Sequence, residues 1–276
     1  MGRHTSGAVL DPPPPDPAPQ RSLGDNVRTA MRGIGETLIT LGLIVFLFIF
    51  YEVYVTSWFT DREQTKLKHQ LTQEFVAGKD PTIRLPNGSL PELKTGQGIA
   101  NIYIPRLGKD FEWTIVEGTT AADLDKGPGH YVGTALPGEV GNFAIAGHRV
   151  GKGEPFLNLD HLLPGDSVII ETESAWYVYK VKGQQHNSIT SVDSDGIPGR
   201  EIITPDEGRV LDPVPDHPGV TPTEQLLTMT TCHPKFTATH RMVVYGALDP
   251  SETVKRTDPK DLSMPSAIAD LYKGVS

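Results

Sequence analysis

QLLTMTTCHPKFTATHRMVVYGAL, residues 225–248, holds two β-type runs, QLLTMTTC (225–232) and RMVVYGAL (241–248), joined by a short polar connection. Their β-branched, aliphatic and aromatic residues suit a pleated, half-buried surface. Pro234 cannot donate to a ladder, so the first run stops before it. A hairpin of this length brings the runs side by side. Cys232, the single cysteine of the 276-residue chain, then stands at a strand end, and Arg241 opens the facing strand.

Further runs of the same texture precede this pair: IANIYIP (99–105), FEWTIVEG (111–118), GNFAIAGH (141–148), DSVIIET (166–172) and AWYVYKVKG (175–183). Turn signals such as LGKD, LPGE and LPGD separate them. Short helical segments are expected at TAADLDKG (120–127) and EPFLNLDHL (154–162). Many short strands with few helices predict a mainly all-β fold, a closed or nearly closed β-barrel, over residues 96–250. Residues 184–224 are rich in proline and lack a long apolar run.

The flanks differ in kind. Residues 1–35 begin with a proline-rich arm, DPPPPDPAPQ at 11–20, which cannot pack into a core and is expected as a disordered tail. Between Thr37 and Tyr51 there is no charged residue, and Tyr51, Tyr54, Trp58 and Phe59 cluster at the far end. A run of this length crosses a hydrocarbon core about 30 Å thick, so residues 36–60 read as a transmembrane helix. No small-x-small cleavage site follows, which makes it an uncleaved signal-anchor. Arginines 21, 28 and 32 before the span balance Arg62, Lys66 and Lys68 after it, leaving orientation open. Residues 61–95 read as an amphipathic stalk helix, with Leu67, Leu71 and Phe75 at four-residue spacing, followed by a linker. Residues 251–276 read as a loose polar tail.

The formal net charge of −9 argues against a surface built to neutralise phosphates, so nucleic acid is not an expected partner. A lone cysteine forms no internal disulfide. As a nucleophile it needs a thiolate, hence a nearby cation or base. Arg241 supplies a cation that also offers donors to a developing oxyanion. For the base, His233 adjoins Cys232 and His240 adjoins Arg241. Neighbours on extended backbone face opposite ways, which counts against both. His148 closes GNFAIAGHR, where the preceding glycine lets another segment approach closely. A zinc site from Cys232, His233 and His240 lacks CxxC or HExxH spacing, and no P-loop or dinucleotide fingerprint occurs, so no metal or cofactor is expected.

TMTTC (228–232), Arg241 on the next run and IAGHR (145–149) upstream resemble the sortase family of cysteine transpeptidases, whose signature is TLxTC with an arginine on the next strand and a histidine after a small-residue strand. Met229 in place of leucine conserves volume. The longer strings GPGHYVGTALPGEVGNFAIAGHR (127–149) and TMTTCHPKFTATHRMVVYG (228–246) are similar to class E sortases of high-GC Gram-positive bacteria. The resemblance implies an eight-stranded sortase barrel outside the membrane, with the amino terminus in the cytoplasm. It implies Cys232 as nucleophile, His148 as general acid/base and Arg241 as oxyanion and substrate-positioning group. It also gives Thr231 a hydrogen bond to substrate or oxyanion, and Tyr131 a part in preferring LAxTG-like over LPxTG-like signals. The implied partners are surface proteins bearing such a signal and an amine of peptidoglycan. Sortases that polymerise pilins carry an Asp-Pro-aromatic plug. Here Asp80-Pro81 is followed by Thr82, which favours an anchoring role. LPELKTG (90–96) reads as linker.

Overall fold

A computed structural model describes residues 23–51, 56–83, 93–183, 189–258 and 260–273. Residues 11–20 of the proline-rich arm, and much of the linker after Ile83, lie outside them. The chain divides after Ile49 into two units, each taken by itself.

The first unit is a helix, α1 (Leu23–Phe50), whose stretch Asn26–Phe50 is long and apolar enough to cross a membrane. It starts earlier than the expected span, within the part read as disordered. The short polar stretch after Leu23 contains helix-compatible residues and an i,i+4 pair, Arg32 Nε to Glu36 Oε1 at 2.8 Å, ahead of the apolar run. Leu38, Ile39, Phe46 and Phe48 are exposed, as suits a lipid-facing helix.

The second unit opens with α2 (Thr56–Val76). The residues picked out by spacing, Leu67, Leu71 and Phe75, are buried, the last two almost completely. α2 is therefore part of the folded domain, packed on strands β1 (Gly98–Tyr103) and β2 (Glu112–Glu117), where an amphipathic stalk ahead of the barrel was expected. Gln64 ties it down. Its amide donates to the carbonyls of Thr114 and Lys126 at 2.9 and 2.7 Å and accepts from the Thr114 N–H at 2.7 Å. Backbone groups on an open stretch of β2 are thereby satisfied.

The remaining strands are β3 (Gly129–His130), β4 (Gly141–Ala146), β5 (Ser167–Glu171), β6 (Ala175–Val181), β7 (Arg200–Ile203), β8 (Gln225–His233), β9 (His240–Leu248) and β10 (Val254–Lys255). Eight of them run β6-β5-β1-β2-β3-β4-β8-β9 and close through β9–β6 pairing from Tyr179↔Leu248 to Val181↔Gly246. The closed barrel has no free edge of its own to protect. β7 and β10 are additions on the spare edge lengths of β9 and β6. The interior holds Ile102, Phe143, Ile145, Leu227, Met229 and Val244 among others. The expected helical segments appear as α3 (Ala121–Leu124) and a 3-10 turn at Leu159–His161.

Residues 251–273 are not a loose tail. β10 pairs with β6, and a final helix, α4 (Ser266–Asp270), buries Ile268 against Tyr103, Ile169, Trp176 and Val178. Arg256, 3% exposed, reaches Glu171 at 2.5 Å and lies over the rings of Trp176 and Phe75. The composition is polar, but a few apolar residues and one buried ion pair are enough to dock it. Asp80, in the Asp-Pro-Thr stretch, accepts from the Ser174 N–H at 3.1 Å, which pins that stretch to the β5–β6 turn.

Two local features set the end of β4. Gly147 donates to Thr230 O at 3.0 Å, which carries the β4–β8 pairing one residue beyond the strand. A Cβ at Gly147 would lie 2.5 Å from the ring of Phe156, which is fully buried. Gly147→Ala therefore displaces either Phe156 or the strand end, and it is expected to lower activity at unchanged α1 and α2 content, checked by circular dichroism beside turnover. Leu71→Ala is expected to destabilise the domain by about 2–5 kcal/mol, as for a core leucine. A denaturant midpoint indistinguishable from the parent would return α2 to the status of a stalk.

Candidate active site

Strand β8 lies between β4, parallel to it, and β9, antiparallel to it. The registers align Asn142–Leu226–Ala247, then Ala144–Thr228–Tyr245, then Ala146–Thr230–Val243 as rows across three strands. Partners in a row share a face of the sheet. Alternate positions on β4 and β8, Phe143, Ile145, Leu227 and Met229, fill the barrel, so these rows lie on its outer face. The next row is His148–Cys232–Arg241. Cys232 pairs directly with Arg241, and the Gly147–Thr230 hydrogen bond brings His148 abreast of Cys232. Strands neighbour one another at about 4.8 Å, so His148 and Arg241, widely separated in sequence, each stand about one strand spacing from Cys232, on either side of it.

The rows below are covered. Ile197, Ile203 and Val210, from the segment before β8, pack on Leu226, Val243 and Tyr245. Asn142 fastens that segment. Its amide donates to the carbonyls of Val210 and Asp212 at 3.0 and 3.1 Å and accepts from Thr228 Oγ1 at 2.7 Å. The cover stops short of the last row, where Cys232 and Arg241 remain partly exposed. Tyr131 stands at the boundary. Its N–H donates to Ala144 O, and its hydroxyl meets Thr230 Oγ1 at 2.9 Å, two residues from Cys232 on the same face.

Thr231 points the other way. It is 2% exposed, and its hydroxyl donates to Gly147 O at 2.8 Å. That bond joins the residue before the cysteine to the residue before the histidine. Arg241 has its Cβ on the Cys232 face, while its guanidinium donates to Ala238 O and His240 O at 3.1 and 3.0 Å, folded back on its own hairpin.

His148 is three-quarters buried, and its Nε2 is enclosed without a hydrogen-bond partner. Asp125 Oδ1 is 3.6 Å from that nitrogen, an ion-pair distance too long for a hydrogen bond. Burial pushes the His148 imidazole below the ordinary histidine range. Lys152 pushes the same way, and Asp125 opposes both. Sequence reasoning singled out neither Asp125 nor Lys152, because both reach the ring through the fold and carry no motif of their own.

Arg149 was missed as well, though it stands in IAGHR. It is 3% exposed and bridges two elements. One nitrogen contacts Asp160 Oδ1 at 3.0 Å. Another donates to His233 Nδ1 at 2.8 Å and to Cys232 O at 3.4 Å. Since a guanidinium only donates, His233 Nδ1 accepts and that ring is neutral. Burial first, then Arg149, holds His233 below its usual range. Among the described residues no group of three or more His, Cys, Asp or Glu side chains is arranged to hold a metal. A thiol in one row with a histidine and an arginine can form a covalent acyl intermediate, with proton transfer from the histidine and oxyanion donors from the arginine once its head group turns towards the thiol.

Comparison with known proteins gives the family. Residues 102–249 match the family model described as Sortase domain. Sortase SrtE1 of Streptomyces coelicolor is 36% identical over 79% of the chain, which spans 57% of that relative's length. Sortase SrtE2 of the same organism is 30% identical over 88% of the chain and 92% of its own length. Among solved structures, the SrtF sortase from Corynebacterium diphtheriae superposes with a TM-score of 0.56 at 37% identity, covering 67% of this chain and 98% of that one. The chain belongs to the sortase family, and class E is the part of that family it fits.

Proposed function

We propose that the chain is a membrane-anchored transpeptidase that cleaves a C-terminal LAxTG- or LPxTG-like sorting signal between Thr and Gly and joins the protein to a peptidoglycan amine. The observation that carries this reading is the row His148–Cys232–Arg241 on one uncovered end of the barrel face. The span Asn26–Phe50 supports a single-pass anchor. The family's usual topology, amino terminus inside and barrel outside, is part of the proposal.

In this scheme the Cys232 thiolate attacks the threonine carbonyl carbon. Arg241 exchanges its bonds to Ala238 O and His240 O for the developing oxyanion, which lies on the face its Cβ shares with the thiol. As the C–N bond breaks, imidazolium at His148 gives its proton to the departing glycine amine, leaving a thioester on Cys232. An acceptor amine then attacks the thioester carbon, neutral His148 takes the proton, and thiolate leaves. No step calls for a cofactor. Thr231, whose hydroxyl is committed to Gly147, acts by holding Cys232 and His148 in step. Tyr131, tied to Thr230, shapes the approach to the thiol in this scheme.

Full-length chain in detergent, given quenched LAETG and LPETG peptides with and without an amine, tests the reading against Cys232→Ala. Cysteine-dependent cleavage with amine-linked product is the expected result. Cleavage without that product identifies a hydrolase, and no cleavage of either peptide moves the reading towards a binding module.

The depressed His148 makes imidazolium the minority form at neutral pH, so the competent thiolate–imidazolium pair is a small fraction of the enzyme. The profile of kcat/KM against pH is expected to be bell-shaped, with its acid limb below the ordinary histidine range near 6.5. A rate that climbs to a plateau would count against the pair.

A further inference from the structure

His148 Nε2 is buried, faces Asp125 and yet lacks a hydrogen bond. The oxygen it faces is already taken, since Lys152 Nζ lies 2.5 Å from the same Asp125 Oδ1. Lys152 belongs to the loop that follows His148, and that loop is strained. Gly151, Lys152, Gly153 and Glu154 have φ of 72°, 54°, 77° and 52°, four consecutive residues in the left-handed region. For Lys152 and Glu154 this backbone is unfavourable, because a Cβ crowds the carbonyl there. The surroundings hold the loop in place. A Cβ at Gly153 would strike Trp113 and Thr60, so the loop lies tightly on β2 and α2. Asp125 is held too. It caps α3, and its carbonyl accepts from Thr60 Oγ1 at 2.9 Å. Strain of this kind clusters at active sites and persists where the surroundings over-determine it.

We propose that Asp125 is the carboxylate that orients His148 through Nε2–H, and that the strained 151–154 loop holds Lys152 on that carboxylate as its competitor. The inference rests on the transpeptidase reading of the site for its catalytic meaning. With Lys152 in place, the carboxylate stands off at 3.6 Å, and the ring is less readily protonated. When Lys152 withdraws, the carboxylate closes on Nε2–H. That fixes one tautomer, stabilises imidazolium and leaves Nδ1 to exchange protons over the thiol. The groups that face the ring are Asp125 from the end of α3, Lys152 from its own loop and Cys232 from β8, with Arg241 one strand farther. Arg149 is engaged with Asp160 and His233. Asp125 is therefore a positioning residue acting through His148, and Lys152 sets how far it acts.

The test uses full-length chain in detergent with ¹³C-labelled histidine, so that His148 is titrated by NMR apart from turnover. Asp125→Asn is expected to move the His148 titration to lower pH and to lower kcat by about 10-fold or more with KM for the peptide little changed. Lys152→Gln is expected to move it to higher pH and to raise kcat/KM near neutrality. In the Asp125→Asn background the same lysine substitution is expected to move the titration much less, since only the direct repulsion between Lys152 and the ring then remains. Asp125→Glu is expected to restore part of the shift, and the unfolding midpoint of the half-exposed Asp125 variants should stay at the parent value. If His148 titrates at one pH in all variants, or if Lys152→Gln shifts it as far without Asp125 as with it, the proposal is overturned. If the titration moves as stated but the parent chain cleaves neither LAETG nor LPETG, the coupling stands and the transpeptidase reading falls.

Discussion

The parallel pairing of β4 with β8, continued by the antiparallel pairing of β8 with β9, is the constraint on which the site depends. Side chains alternate along each strand, so only one register sets His148, Cys232 and Arg241 in a row on the outer face. A slip of one residue would turn the thiol into the barrel and expose Leu227 and Met229. Both faces resist that slip. Inside, Phe143, Ile145, Leu227 and Met229 are fully buried. Outside, Asn142 and Thr228 bond to one another and to the carbonyls of the covering segment. The pairing is thus held by apolar burial on one side and by a satisfied polar network on the other.

Where the sheet ends, polar contacts take over from ladder bonds. Arg149 follows His148 in sequence but contacts Cys232 O, His233 and Asp160, so one buried cation joins the exits of β4 and β8 to the connection beyond. A buried guanidinium is tolerable only with such partners around it, and removing one leaves the others stranded. Thr231 adds a neutral tie between the same two exits. Gly147 makes the arrangement possible sterically, since Phe156 occupies the space a side chain would need. Rigidity at this corner leaves Arg241, on the hairpin turn, as the one member of the row whose head group is free to change partners.

The barrel is also supported from behind. Gln64 and Thr60 of α2 satisfy backbone groups of Thr114, Lys126 and Asp125, while Ile268 of the C-terminal segment packs on β1, β5 and β6 and Arg256 lies over Trp176 and over Phe75 of α2. Thr60 of α2 thus helps hold the end of α3, from which Asp125 faces His148. Segments that look like appendages by composition become parts of the domain through a handful of contacts each.

Much of this is legible in the sequence. Seven of the strands follow runs of β-branched and aromatic residues bounded by turn signals, and the hairpin of Cys232 and Arg241 follows from the length between its two runs. The apolar run ahead of the domain was legible for the same reason: local composition sets local structure. β3, β7 and β10 were not, because strands of two to four residues carry too little periodicity and exist only through their neighbours. The roles of α2 and residues 251–273 were misjudged because polar composition says how a segment meets water and not which few side chains it buries. The partners of His148 and Cys232 depend on long-range geometry. Asp125, Lys152, Arg149 and Asp160 are ordinary charged residues in the chain, and only the closing of the barrel brings their charges within reach of the ring and the thiol.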